Sequence, residues 1–132
     1  MVTKTIKDEV TLKASPAEIY NAFMDSAKHA EFTGSPAKIS REVGGPFTAY
    51  GDYASGKNLE LIPGQKIRQS WRASDWPAGH FSQITLDLKT VAGGTKIVFT
   101  QVNVPEKFVA DVKKGWQDYY WQPMQKMFDA SK

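Results

Sequence analysis

Residues 104–128 read VPEKFVADVKKGWQDYYWQPMQKMF, and their periodicity decides the fold. Val109, Val112, Trp116, Tyr119 or Tyr120, Pro123 and Met127 recur at steps of three and four, the spacing of one face of an α-helix. Trp121 and Phe128 add to the aromatic density of the segment. A helix this apolar on one side must cover a large surface, and the strand-like sequence before it offers one. The expectation is α+β: a curved antiparallel sheet of six to seven strands, gripped by a C-terminal helix over Lys107–Phe128. Pro105 ends the sheet. Pro123 sits inside the helix, where it removes one hydrogen bond and crowds the Tyr119 carbonyl, so a kink or break is predicted near Tyr119–Pro123.

Working back towards the N-terminus, Ile6, Val10 and Leu12 alternate with Lys7, Glu9 and Thr11, the period of a half-buried strand. Ser15-Pro16-Ala17-Glu18 then spells a helix start. Ser15 caps, Pro16 suits the first helical position, and Glu18 closes a capping box. Ile19, Tyr20 and Phe23 supply the buried side of this short helix. A second short helix begins at Asp25 or Ser26 and stops at Gly34, with Pro36 enforcing the exit. Hairpin turns follow at Gly44-Gly45, Pro63-Gly64 and Gly93-Gly94. Ile84, Leu86 and Leu88 on one strand, and Ile97 and Phe99 on the next, are core positions. With neither repeats nor a linker, the chain reads as one domain over residues 1–132.

The composition narrows the function. With no cysteine among 132 residues, disulfides, thiolate metal sites and a cysteine nucleophile are excluded. The charged opening MVTKTIKDEV resembles neither a signal peptide nor a membrane span, so a cytoplasmic protein is expected. The net charge of +3 is spread along the chain, without the basic stripe or run of a nucleic-acid binder. The glycine pairs open onto strands rather than helices, so they are turns and not phosphate cradles. His29 and His80 lack the partners that hydrolysis or metal binding needs, and both are assigned to the surface or to loops. The reading is therefore non-enzymatic, with no metal or cofactor.

Three stretches carry a resemblance: IRQSWRASDWPAGHFSQITLDL (67–88), GGTKIVFTQVNVP (93–105) and GWQDYYWQPMQKMF (115–128). Their markers are Trp71-Arg72, Trp76-Pro77 with Gly79-His80, Gly94-Thr95, Val104-Pro105, and Gly115-Trp116 with Tyr119-Tyr120. Gly44-Gly45 before Phe47, and the opening SPAEIYNAFMD, agree with them. In this order the chain resembles the C-terminal domain of the activators of the heat-shock protein 90 ATPase, within the helix-grip superfamily that includes the birch-pollen allergen. The resemblance implies a helix-grip fold and a regulator of a heat-shock protein 90 class chaperone. The full-length activators also have an N-terminal domain, to which nothing in this sequence corresponds, and Pro123 departs from the smoother helix of the relatives.

Two sets of residues are candidates for function. Trp71, Phe99, Trp116, Tyr120, Met124 and Met127 could line a cavity for a small hydrophobic ligand, with tyrosine hydroxyls orienting it, or simply fill a core. Arg68 and Arg72 share one side of a strand and, with Trp76 and Pro77, form a candidate docking surface for a partner. In that reading Trp76 is an exposed anchor. In the alternative it folds back to plug the end of the sheet, and the arginines belong to a solvated face.

Overall fold

The computed structural model describes residues 2–130, with the side chain of Ala130 outside the description. The ends of the expected 1–132 domain, residues 1, 131 and 132, therefore lie outside the described residues. The order of elements is strand β1 (Thr3–Leu12), helices α1 (Pro16–Met24) and α2 (Ser26–Thr33), and strands β2 (Ala37–Ile39), β3 (Pro46–Ala49), β4 (Ala54–Ile62), β5 (Lys66–Ala73), β6 (Ser82–Val91) and β7 (Gly94–Pro105). A 3₁₀ turn (Glu106–Phe108) leads into α3 (Val109–Trp116), a π-helical turn (Gln117–Trp121) and α4 (Gln122–Ala130).

All neighbouring strands pair antiparallel, in the order β1-β7-β6-β5-β4-β3-β2. This is the helix-grip arrangement of α+β type, at the upper end of the expected strand number. β1 crosses to the far edge to pair with β7, which leaves one face for the helices and one for solvent. Along β5 the alternation is complete: Ile67, Gln69, Trp71 and Ala73 are buried, whereas Lys66, Arg68, Ser70 and Arg72 are partly exposed. The sheet bends where register shifts, between Asn58 and Glu60 and between Lys4 and Ile6, as bulges make strands do. Earlier on β4, at Gly56, a Cβ would lie 1.8 Å from the Ser70 carbonyl oxygen. Only glycine allows that approach.

The local signals in the first helices act as written. The Ser15 hydroxyl accepts from the Glu18 N–H, and the Glu18 carboxylate accepts from the Ser15 N–H at 3.0 Å. Asp25 ends α1 and caps α2 at the same time, its carboxylate accepting from the Lys28 N–H at 2.9 Å. Gly34, at φ 74°, stops α2. Gly34, Gly64 and Gly93 all adopt the left-handed conformation their turns need.

The C-terminal helix absorbs Pro123 without breaking. Within the π turn the Gln122 N–H reaches back to the Gln117 carbonyl, one residue further than in an α-helix. Pro123 has no N–H for the Tyr119 carbonyl one turn earlier. That carbonyl accepts the Tyr50 hydroxyl instead, at 2.8 Å. The wider turn also lets the successive residues Tyr120 and Trp121 both face the core, at 5% and 1% exposure. A straight α-helix turns each residue about 100° from the last, and sequence periodicity alone therefore offers only one of Tyr119 and Tyr120 to the sheet.

Candidate functional site: an aromatic cleft beside the helix bend

Where α3 and the π turn cross the sheet, the helix stands off the strands over a cleft of about 460 Å³. Trp71 from β5, Trp116 from α3 and Tyr120 from the π turn line it. Tyr50 and Tyr53, in the connection between β3 and β4, and Tyr119 on the opposite side complete its aromatic walls. Three of the six residues expected at a cavity therefore meet here. The other three do not. Phe99 lies behind Trp116, with ring centroids 4.6 Å apart, and is 1% exposed. Met124 is fully buried under α4, and Met127 borders a separate depression against α1 and α2. Both methionines come after the π turn, which shifts the helix face they share away from the cleft.

The inner wall of the cleft is held by a chain of hydrogen bonds. The Trp116 indole N–H donates to Gln101 Oε1 at 2.9 Å, Gln101 Nε2 donates to Ser82 Oγ at 2.9 Å, and that hydroxyl donates to the Trp71 carbonyl at 2.7 Å. Gln101 and Ser82 are fully buried. Every member of the chain has a partner, so burying these polar groups is tolerated and the two tryptophans are fixed in orientation. Sequence reasoning passed over Gln101. Its signal was parity: it continues the inward series Ile97, Phe99 on β7, so a polar side chain there had to find a buried partner.

His29 corrects an expectation. It is 2% exposed rather than at the surface. Its Nδ1 lies 2.9 Å from the Phe23 carbonyl, which can only accept, so Nδ1 carries the proton. Nε2 then accepts from the Tyr120 hydroxyl at 2.9 Å. Burial lowers the His29 pKa, against the opposing pull of the Phe23 carbonyl. Tyr120, in turn, is pushed above the usual phenol range by burial and by Tyr50. A neutral His29 thus ties α2 to the helix bend behind the cleft. The neighbouring Asp25 caps the helix, and the aromatic rings of Phe23, Phe32 and Tyr120 surround the imidazole. His80 keeps its loop position, its Nε2 at 2.8 Å from the Asn103 carbonyl.

Tyr50 holds the outer rim in a left-handed conformation, φ 53°, which costs a non-glycine residue energy. The strain is retained where the Tyr50 hydroxyl meets the Tyr119 carbonyl, joining the β3–β4 connection to the π turn across the cleft. Burial also raises the Tyr50 pKa, against a lowering hydrogen bond from Thr33. The hydroxyl stays protonated at neutral pH and able to donate.

The docking candidates separate. Trp76 is 4% exposed, in contact with Trp71 at 5.4 Å and Phe108 at 6.2 Å between ring centroids. It folds back over the end of the sheet, the second of the two readings of this loop, and so offers no exposed anchor. Burial on Trp71 and Phe108 outweighs the loop position of the residue, as is usual for a large aromatic. Pro77 remains exposed. Arg72 donates to the Trp76 and Pro77 carbonyls at 2.9 and 3.3 Å, so it braces the loop. Arg68 lies further along β5 beside Glu60, which also pairs with Lys66. The exposed aromatic next to Arg72 is Phe81, 41% exposed, with the guanidinium carbon 6.0 Å from its ring centroid.

Among the described residues no three His, Asp or Glu side chains gather as metal ligands, and no helix is long and apolar enough to cross a membrane. Comparison with known proteins places this geometry. The sequence model of the family described as "Activator of Hsp90 ATPase homolog 1-like protein" matches residues 13–129. The human activator of 90 kDa heat shock protein ATPase homolog 1 is 32% identical over 124 residues, which are 94% of this chain and 36% of that protein. The Dictyostelium discoideum activator of 90 kDa heat shock protein ATPase homolog is 34% identical over 117 residues, 87% of this chain and 30% of its own length. The chain thus spans about a third of the curated relatives it matches. A crystal structure of an HSP90 activator from Plasmodium falciparum superposes with a TM-score of 0.87 at 23% identity, covering 93% of this chain and 94% of that one. The solution structure of an Aha1 dimer from Colwellia psychrerythraea gives 0.78 at 21%, covering 95% and 97%. At these identities the two structures share the fold.

Proposed function

The chain belongs to the family of activator of Hsp90 ATPase homolog 1-like proteins, and from that membership we propose that it regulates or stimulates the ATPase of a heat-shock protein 90 class chaperone. It acts as a single non-enzymatic domain in the cytoplasm, and the hydrolysis is the chaperone's. The observation that carries the reading is the family match from residue 13 to residue 129, together with relatives named as activators of that ATPase. The chain works by binding one conformation of the chaperone better than another, because only differential affinity shifts such an equilibrium. Its docking surface is the outer face of β5 and the adjoining loop, where Arg68, Arg72, Pro77 and Phe81 combine positive charge with an exposed aromatic ring.

The test is the ATPase rate of the chaperone from the same cell, with and without this chain. A saturable change in rate is expected, together with binding that strengthens when nucleotide is present. Unchanged turnover and no binding by calorimetry would remove the reading. Arg68→Glu faces Glu60 and leaves the loop's hydrogen bonds in place, so it should slow association without unfolding the domain. Screening by salt should have the same effect on the unmodified chain.

A second reading is supported by the cleft: the chain holds a small hydrophobic molecule between sheet and helix. Its volume, and a lining of which half the residues are aromatic, lie in the range of small-molecule sites. Extraction of the purified protein, followed by mass spectrometry, tests whether it carries one.

A further inference from the structure

We infer that the aromatic cleft selects a small organic cation, an alkyl- or arylammonium group, over neutral molecules of the same shape. The inference rests on the reading of the cleft as a ligand site and names the chemistry of its ligand. Its basis is the charge of the lining. The chain carries 17 lysines and arginines against 14 acidic residues, yet none of the residues lining the cleft is basic, and its one charged side chain is Asp111. Asp111 stands exposed at the mouth and forms no ion pair among the described residues. Lys114, nearby on α3, is already paired with Asp118 at 2.6 Å. Asp75, also exposed, adds negative charge on the same side. Burial first, then Asp75 and Asp111, raises the pKa of the Tyr53 phenol.

The rings match that charge. Tyr50 and Tyr119 meet at 61°, Tyr53 and Trp71 at 74°, and Trp71 and Trp116 at 42°. They form walls around a space rather than one closed stack. An aromatic face attracts a cation through its quadrupole, and the attraction grows as water is excluded. The protonated Tyr50 and Tyr120 hydroxyls are both occupied, with the Tyr119 carbonyl and with His29. The Tyr53, Tyr119 and Ser35 side chains also line the cleft, so a charged guest meets ring faces, neutral hydroxyls whose oxygens can turn towards a cation, and the Asp111 carboxylate. An anion would meet the Asp111 carboxylate and no compensating base.

The experiment compares benzyltrimethylammonium with its uncharged carbon isostere, neopentylbenzene, by quenching of tryptophan fluorescence and by calorimetry. The cation is expected to bind about tenfold more tightly, the scale of a partly desolvated cation–π contact. Asp111→Asn is expected to weaken the cation several-fold and leave the isostere unchanged. Its thermal unfolding should match the parent, because the side chain is exposed. Equal affinity for the two probes overturns cation selection while the apolar-carrier reading stands. Binding of neither overturns both. Cation affinity unaffected by Asp111→Asn overturns the part assigned to that carboxylate.

Discussion

The two halves of the C-terminal helix meet the same sheet and do opposite things with similar residues. On the α4 side, Trp121 packs against Phe99 at 5.3 Å between centroids, and Met124, Met24 and Phe128 close the space. On the α3 side, Trp116 and Tyr120 are as deeply buried, but in front of them Tyr50, Tyr53 and Tyr119 stand apart around a cleft. The difference comes from the opposing wall. On the α4 side the buried set joins Phe99 to the thioether of Met124, a flexible side chain that conforms to what it touches. Opposite α3 lie a braced Trp71 and a rim held by Tyr50, and these rigid planes leave space between them. An aromatic residue thus fills or lines according to the flexibility of what it faces.

Shortening Trp121 to alanine should test the packed half most severely. We expect a loss of about 3–5 kcal/mol in denaturant unfolding, the usual cost of removing a buried large aromatic. Trp116→Ala should fall in the same range, since it also strands Gln101. Tyr53→Ala, on the open half at 44% exposure, should cost under about 1 kcal/mol. Similar losses at Trp121 and Tyr53 would show that the two halves are packed alike and that the cleft closes in solution.

Acid should strain the junction between the halves. His29 is neutral in the fold, with its pKa lowered by burial, whereas in the unfolded chain it titrates near 6.5. The unfolded state therefore takes up a proton first as pH falls. The stability His29 contributes is complete above about 6.5 and declines below it, by up to about 1.4 kcal/mol per pH unit until the folded imidazole also titrates. Unfolding midpoints between pH 8 and 5 for the parent and for His29→Gln check this. Parallel profiles would place the acid sensitivity elsewhere.

A modest effect belongs to the rim hydrogen bond. Tyr50→Phe removes the hydrogen bond to the Tyr119 carbonyl and should cost about 0.5–1.5 kcal/mol. Placing it in a Pro123→Ala background sharpens the test, because alanine returns an N–H to the helix. The Tyr50→Phe loss should then shrink. An undiminished loss would uncouple the rim from the proline.

Local rules reached most of the fold. The capping box at Ser15, the stop at Gly34 and the hairpin turns were readable because each is satisfied within a few residues. The inward series on β6 and β7 was readable because its period survives burial. The cleft was only half legible. Trp71, Trp116 and Tyr120 announced themselves by size, but Tyr50 and Tyr53 sit in a connection with no periodicity, and their role depends on a helix some seventy residues later. His29 was misjudged for the same reason: its partner Tyr120 is distant in sequence, and only the fold brings them to 2.9 Å. Trp76 shows the converse. The sequence left it open between an exposed anchor and a plug for the sheet, and the apolar wall that decides the matter comes from β5 and Phe108.

The π turn at Gln117–Trp121 has a consequence for how the length of this chain can change. It holds one residue more than a regular α-helical turn, so the helix runs in two phases offset by a single position. Deleting one residue there would merge the phases into an ordinary helix, giving up one of the paired Tyr120 and Trp121 contacts while leaving Met124 and Phe128 on the buried side. A deletion one turn later, in α4, has no surplus to remove and would swing Phe128 about 100° out of the core. Single-residue deletions across the helix should therefore be tolerated at one spot, and that spot marks where the lineage of this chain could gain or lose a residue without losing its fold.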